Sequence, residues 1–140
     1  MTDPLDTLPD DELAAVFAEE VLGWHRGMDK CRDGRGWYER HCWMRADDIR
    51  TEWFTKFDPL HSDTDVWRGV DAHPEWRVSV CAYESDSGSI EWDAMVTLGE
   101  KRCAKCRGVR ILQREATDPN RRRALALALI RAARAEKEGA

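Results

Sequence analysis

Apolar residues recur at helical spacing near the start of the chain: Leu13, Val16, Phe17, Val21 and Trp24 share one side, and Glu19 and Glu20 fall outside it. The spacing predicts a helix that opens near Pro9 or Asp10. There a proline is tolerated, and Asp10, Asp11 and Glu12 place negative charge at the positive end of the helix dipole. Gly23 suits the left-handed residue that ends many helices. From position 25 to 57 neither period holds. Glycines at 27, 34 and 36, mixed charges and the aromatics Trp37, Tyr38, Trp43 and Trp53 read as an irregular stretch, with at most a short element over 46–54.

Order returns with the turn sequence from Asp58 to Asp65. Ser62 is placed to cap a short helix, Asp65 completes a capping-box-like arrangement, Val66, Trp67 and Val70 form its apolar side, and Pro74 stops it. Next comes a period of two. Trp76, Val78, Val80 and Ala82 alternate with Arg77, Ser79, Cys81 and Tyr83. Cys81, as a cysteine on a strand, is expected to be a buried small residue. After the turn residues Ser85 to Gly88, Ile90, Trp92, Ala94, Val96 and Leu98 repeat the pattern, which makes a hairpin. A third strand is expected over 108–115, with Val109 and Ile111 on one face. The last helix opens at Asp118-Pro119 and carries the stripe Leu125, Ala128, Leu129 and Ala132. Leu127 and Ile130 lie toward a second face, the pattern of a helix buried on more than one side. The element order predicts an α+β fold: an antiparallel sheet of three strands, or slightly more, sandwiched with N- and C-terminal helices. Residues 1–140 are expected to form a single domain with an irregular insertion at 27–57.

Composition narrows the classes. With 42% hydrophobic and 35% charged residues the chain lies far from the disordered regime. A net charge of -5 argues against a dedicated nucleic-acid binder. No run approaches the ~20 apolar residues that span a bilayer, and the opening MTDPLDTLPDDEL is acidic where a signal peptide would be basic. The expectation is a cytoplasmic protein whose five cysteines are reduced.

Those cysteines carry the first chemical candidate. Cys103-Ala104-Lys105-Cys106 has the spacing at which two thiolates grip one tetrahedral ion, and Cys31 and Cys42 (or His41) could complete a structural zinc site. Such a site would also order the 27–57 stretch. The ordinary alternative is that these are small residues in loops. The second candidate combines aromatic and basic residues. Seven tryptophans are many for the length, and core filling is their usual role. A stacking surface for a flat ligand is the sharper reading, with Trp43 and Trp67 as its rings and Arg121 and Arg122, in the first turn of the last helix, as phosphate contacts. A merely solvated charge run is the competing reading for the arginines. No nucleophile elbow, phosphate loop, zinc-protease motif or dinucleotide fingerprint occurs, so no catalytic residues are assigned. Asp63 and Asp65 beside His61 read as helix-capping acids, and His25 and His73 as isolated side chains that are either at the surface or satisfied.

The order of these landmarks resembles the phage ABA sandwich domain family. The resemblance rests on Leu13 to Trp24 with its closing Gly-Trp, on Phe57-Asp58-Pro59 followed by Ser62-Asp63-Thr64-Asp65-Val66, and on the alanine-rich last helix. The chain departs from the family by inserting Leu60-His61 and by enlarging the region between Gly27 and Phe57. The resemblance implies a helix–sheet–helix sandwich and a phage origin, hence the cytoplasm of a host cell, and it carries no activity. The resulting expectation is a non-enzymatic phage accessory protein that binds a small ligand, with a nucleotide signal of host defence as the candidate. The alternative is a zinc-stabilised module that binds a host protein; self-association is compatible with both.

Overall fold

A computed structural model describes residues 4–102 and 109–138. A 3₁₀ turn at Pro4–Thr7 leads into α1 (Asp10–Val16), which widens into a π-helical turn over Phe17–Val21. Three strands follow, β1 (His25–Asp33), β2 (Gly36–Met44) and β3 (Arg50–Trp53). Then come α2 (Asp63–Asp71), the strands β4 (Arg77–Glu84), β5 (Ile90–Arg102) and β6 (Val109–Asp118), and α3 (Arg121–Lys137). The architecture is α+β, with two separate three-stranded antiparallel sheets ordered β1-β2-β3 and β4-β5-β6.

The first sheet corrects the reading of 27–57 as irregular. β1 and β2 pair residue for residue from His25 opposite Met44 to Asp33 opposite Gly36, joined by the two residues Gly34 and Arg35. Asp33 accepts the Arg35 N–H at 2.7 Å, and Gly36 has φ +118°, a backbone conformation glycine adopts without penalty. No apolar alternation marks these strands because most of the hairpin is open to solvent; Trp37 is 68% exposed. Only its base is anchored. Trp43 is 4% exposed, stacks on Phe54 at 4.6 Å, and meets Phe57 edge-on at 6.4 Å. Phe57 in turn lies against Phe17 and Trp24 of the N-terminal helical segment. That segment ends as expected, with Gly23 at φ +70° and the Trp24 N–H bonded back to the Ala18 carbonyl at 3.0 Å.

The second sheet follows the alternation closely, with Ala94, Val96 and Ala116 buried beneath α3. β6 runs to Asp118, opposite Trp92, so it ends three residues beyond the expected 115. Cys81, expected inside, is exposed, because its side of β4 faces away from α3. The face that does look inward packs on a helix covered all round: every residue from Ala124 to Ile130 is buried, between this sheet and the α1–α2 layer. The two-faced pattern of Leu127 and Ile130 is therefore realised. On the far side of α3, Gly69 of α2 comes so close that a Cβ there would stand 2.6 Å from Phe17 Cζ and 3.1 Å from Leu129 Cδ1.

Candidate ligand-binding site

The start of α3 is capped by Asn120 and not by Asp118. The Asn120 side-chain oxygen accepts the N–H groups of Arg122 and Arg123, and Asp118 holds the Asn120 N–H at 2.8 Å. Two of the amides that could have held an anion are thus already satisfied. The three arginines that follow diverge. Arg123 turns inward and clamps the N-terminal segment, donating to Asp10 at 2.8 Å, the Leu8 carbonyl at 2.9 Å and the Asp6 carbonyl at 3.2 Å. It is a structural residue.

Arg121 and Arg122 turn toward α2, where the opening of that helix presents Asp63. Arg121 Nη2 donates to both Asp63 oxygens at 2.9 and 3.1 Å, and Arg122 Nε donates to Oδ1 at 2.9 Å. The hydrogen bond from Arg122, then that from Arg121, holds the Asp63 carboxyl below the usual carboxylate range, against the opposing effect of desolvation. Beside this cluster is a cavity of about 300 Å³, lined by Val66 and Trp67 of α2, Val80 of β4, Trp92 of β5 and Leu125 of α3, together with Asp63, Arg121 and Arg122. The Arg121 guanidinium sits 5.6 Å from the Trp92 ring, and Trp67 is 45% exposed at the mouth.

The arrangement has a definite chemistry. Two guanidinium charges face one carboxylate, leaving a net positive charge of one. Arg121 spends only Nη2 on Asp63 and Arg122 only Nε, so the remaining donors of both forks have no hydrogen-bond partner among the described residues. Asp63 orients the forks without consuming them. Two indole faces and an apolar floor complete a pocket suited to a flat ring carrying negative charge.

Of the residues singled out in the sequence, Trp67, Arg121 and Arg122 meet in this cavity. Trp43 does not: it is a core ring of the first sheet and lines a different depression, with Arg26 and Phe54. Asp63 and Trp92 were read only as a helix-capping acid and a strand residue. The signal that could have exposed them was charge complementarity between the starts of α2 and α3. Ser62 does cap α2, accepting the Asp65 N–H at 3.3 Å. The buried Asp65 carboxylate, however, reaches back to the Asp58 N–H at 2.9 Å and does not close the expected box.

The cysteine candidates separate. Cys42 lies opposite Gly27 and Cys31 opposite Tyr38. The two are therefore four ladder positions apart, about 13 Å at ~3.3 Å per residue. They cannot ligate one ion together, since thiolates on a common zinc are roughly 4 Å apart. His41 and Cys42 are consecutive strand residues and point to opposite faces. Cys42 is buried and its thiol is pushed up by that burial, whereas Cys31 lies opposite Tyr38 and its neighbouring thiol raises the Tyr38 hydroxyl. Cys103 and Cys106 lie outside the described residues. Order in 27–57 comes from strand pairing and the Trp43 anchor. No protein-family model, curated protein or solved structure matches this chain.

Proposed function

We propose that the protein is a non-enzymatic binder of a small, flat, anionic ligand of the nucleotide class, held in the cleft between α2 and α3. The observation that carries this reading is the Asp63-oriented pair Arg121 and Arg122 beside the two indoles of a cavity of about 300 Å³. A base would stack on Trp67 at the mouth, and phosphate oxygens would take the unused guanidinium donors. Sequestration of a nucleotide signal of host defence is the role we attach to such binding, on the strength of the sequence resemblance alone. The test is isothermal titration of the full chain at low salt against linear and cyclic mono- and dinucleotides. Binding is expected to weaken at least about tenfold in Arg122→Gln, the loss of one charge-assisted contact, and to fall in Trp67→Ala as well. Silence across the panel sinks the reading.

A second reading, an interaction module, has one observation in its favour. Met28 and Trp37 project from the same face of the solvent-exposed β1–β2 hairpin. Crosslinking in host extract would test it: a specific partner lost in Trp37→Ser supports it, and an unchanged crosslinking pattern counts against it.

A further inference from the structure

We propose that His73, Glu75 and Glu136 form a site for a single divalent first-row metal ion of the zinc type, on the opposite end of α3 from the ligand cleft. His73 Nε2 lies 2.8 Å from the Val21 carbonyl oxygen. A carbonyl can only accept, so in the neutral ring the proton is on Nε2 and Nδ1 is left with the lone pair a metal ion would take. This is the arrangement by which a backbone carbonyl fixes the tautomer of a metal-binding histidine. The ring is held in place as well: it stacks on Trp76 at 3.7 Å with the planes 4° apart.

Two carboxylates converge on that lone pair. Glu75 Oε1 lies 3.6 Å from Nδ1, too long for a hydrogen bond and short enough for two ligands of one ion. Glu136, from the last turns of α3, is oriented by the Trp76 Nε1–H, which donates to Oε2 at 2.7 Å. One ligating atom from each residue lies within 4.8 Å of the others. Ligands bound at ~2.0–2.2 Å stand roughly 3 to 3.5 Å apart, so closing the set needs side-chain shifts of about 1 Å, within reach of the two exposed glutamates. Glu136 forms no ion pair with an Arg or Lys among the described residues, and Arg77, which shares a shallow depression with Glu75, is not ion-paired to it. A neutral imidazole with two carboxylates is a borderline donor set that suits zinc and its neighbours, with water completing the coordination on the exposed side.

The three ligands come from two separate parts of the chain, and the carbonyl that orients the histidine comes from a third. His73 and Glu75 flank Pro74 in the connection from α2 to β4, Glu136 ends α3, and Val21 orients the histidine from the N-terminal segment. A bound ion would tie these together and raise the melting temperature with metal concentration.

The test is titration of the purified, chelator-treated full chain with Co²⁺, followed by visible absorption, with Zn²⁺ loading read by native mass spectrometry. One equivalent is expected, with d–d bands of nitrogen and oxygen coordination and no thiolate-to-cobalt charge transfer. Glu75→Gln and Glu136→Gln should each weaken binding at least about tenfold, taking even an outer-sphere loss as the lower bound. Both variants should keep the fold, since Glu75 is exposed and the amide carbonyl introduced by Glu136→Gln still accepts from Trp76. Absence of a one-to-one complex overturns the proposal. So does a thiolate charge-transfer band for the bound equivalent, which would place the ion on cysteines, or binding unchanged in both glutamine variants.

Discussion

Replacing Gly69 with alanine sets two effects of known size against each other. In the middle of a helix such as α2, alanine is favoured over glycine by about 0.8–1.0 kcal/mol. Gly69 is not free to collect that gain. Its missing Cβ would stand 2.6 Å from Phe17 Cζ and 3.1 Å from both Phe17 Cε2 and Leu129 Cδ1. Phe17 and Leu129 are themselves fully buried, so neither can swing aside into solvent. Forcing an extra methyl into a packed interior costs about 1–3 kcal/mol. With the nearest contact at 2.6 Å to a fully buried ring, the cost belongs in the upper half of that range, about 2–3 kcal/mol. The net expectation for Gly69→Ala is therefore a loss of about 1–2 kcal/mol, or a fall in melting temperature of roughly 3–8 °C for a chain of this size. Urea denaturation followed by tryptophan fluorescence measures it. Phe17→Leu removes the atom in the way and so isolates the cause. The double variant Phe17→Leu/Gly69→Ala should be less damaged than the sum of the two single changes by about 1 kcal/mol or more. A Gly69→Ala protein as stable as the parent, or additivity in the cycle, would falsify the close-approach argument.

Asp65→Ala should cost about 2–3 kcal/mol, because it strands the Asp58 N–H and leaves Arg68 without its nearest carboxylate, 3.4 Å away; Asp65→Asn should recover part of the loss in the same urea assay. Asn120→Ala removes the acceptor for two amides at the start of α3 and should cost about 1 kcal/mol, with Asn120→Asp close to neutral in thermal melts. Asp63 is held below its ordinary value of 3.8 by Arg122 and Arg121, so its contribution is complete above that value and is lost as the pH falls through the lower folded value. Stability of Asp63→Asn should accordingly vary less than that of the parent between about pH 4 and pH 2; identical acid-side slopes would count against the triad.

The parts of the fold that could be read from sequence are those where burial imposes a period. β4 and β5 alternate because one face lies beneath α3, and α3 shows two apolar faces because it is covered on both sides. The first sheet escaped because strand pairing does not require an apolar face. Its hairpin stands in solvent beyond Trp43, and so its residues carry no core pattern. The Asp33-Gly34 pair ahead of a second glycine was the turn signal that could have revealed it. The candidate cleft was half legible. Trp67, Arg121 and Arg122 stood out as residue types, but Asp63 and Trp92 come from elements distant in sequence, and only the packing of α2 and β5 against α3 brings them in. His73 is the satisfied side chain the sequence suggested, but its neighbours were not legible there: Val21 and Glu136 are far from it along the chain and adjacent in space.

The clamp that joins the two ends of the molecule has a consequence for how the protein is made. Arg123 holds Asp6, Leu8 and Asp10, Arg131 holds Asp6, and Arg134 holds Glu20 with two hydrogen bonds. Leu13, Phe17 and Val21 therefore belong to an apolar surface whose cover, α3, is synthesised about a hundred residues later. At roughly 5–20 residues per second that interval is on the order of 5–20 s. For that time the growing chain presents an uncovered helix face, and only when α3 emerges can the interior close. Ribosome-bound chains stalled before α3 should thus be clients of chaperones and sensitive to protease, while chains carrying α3 outside the ribosome should be neither.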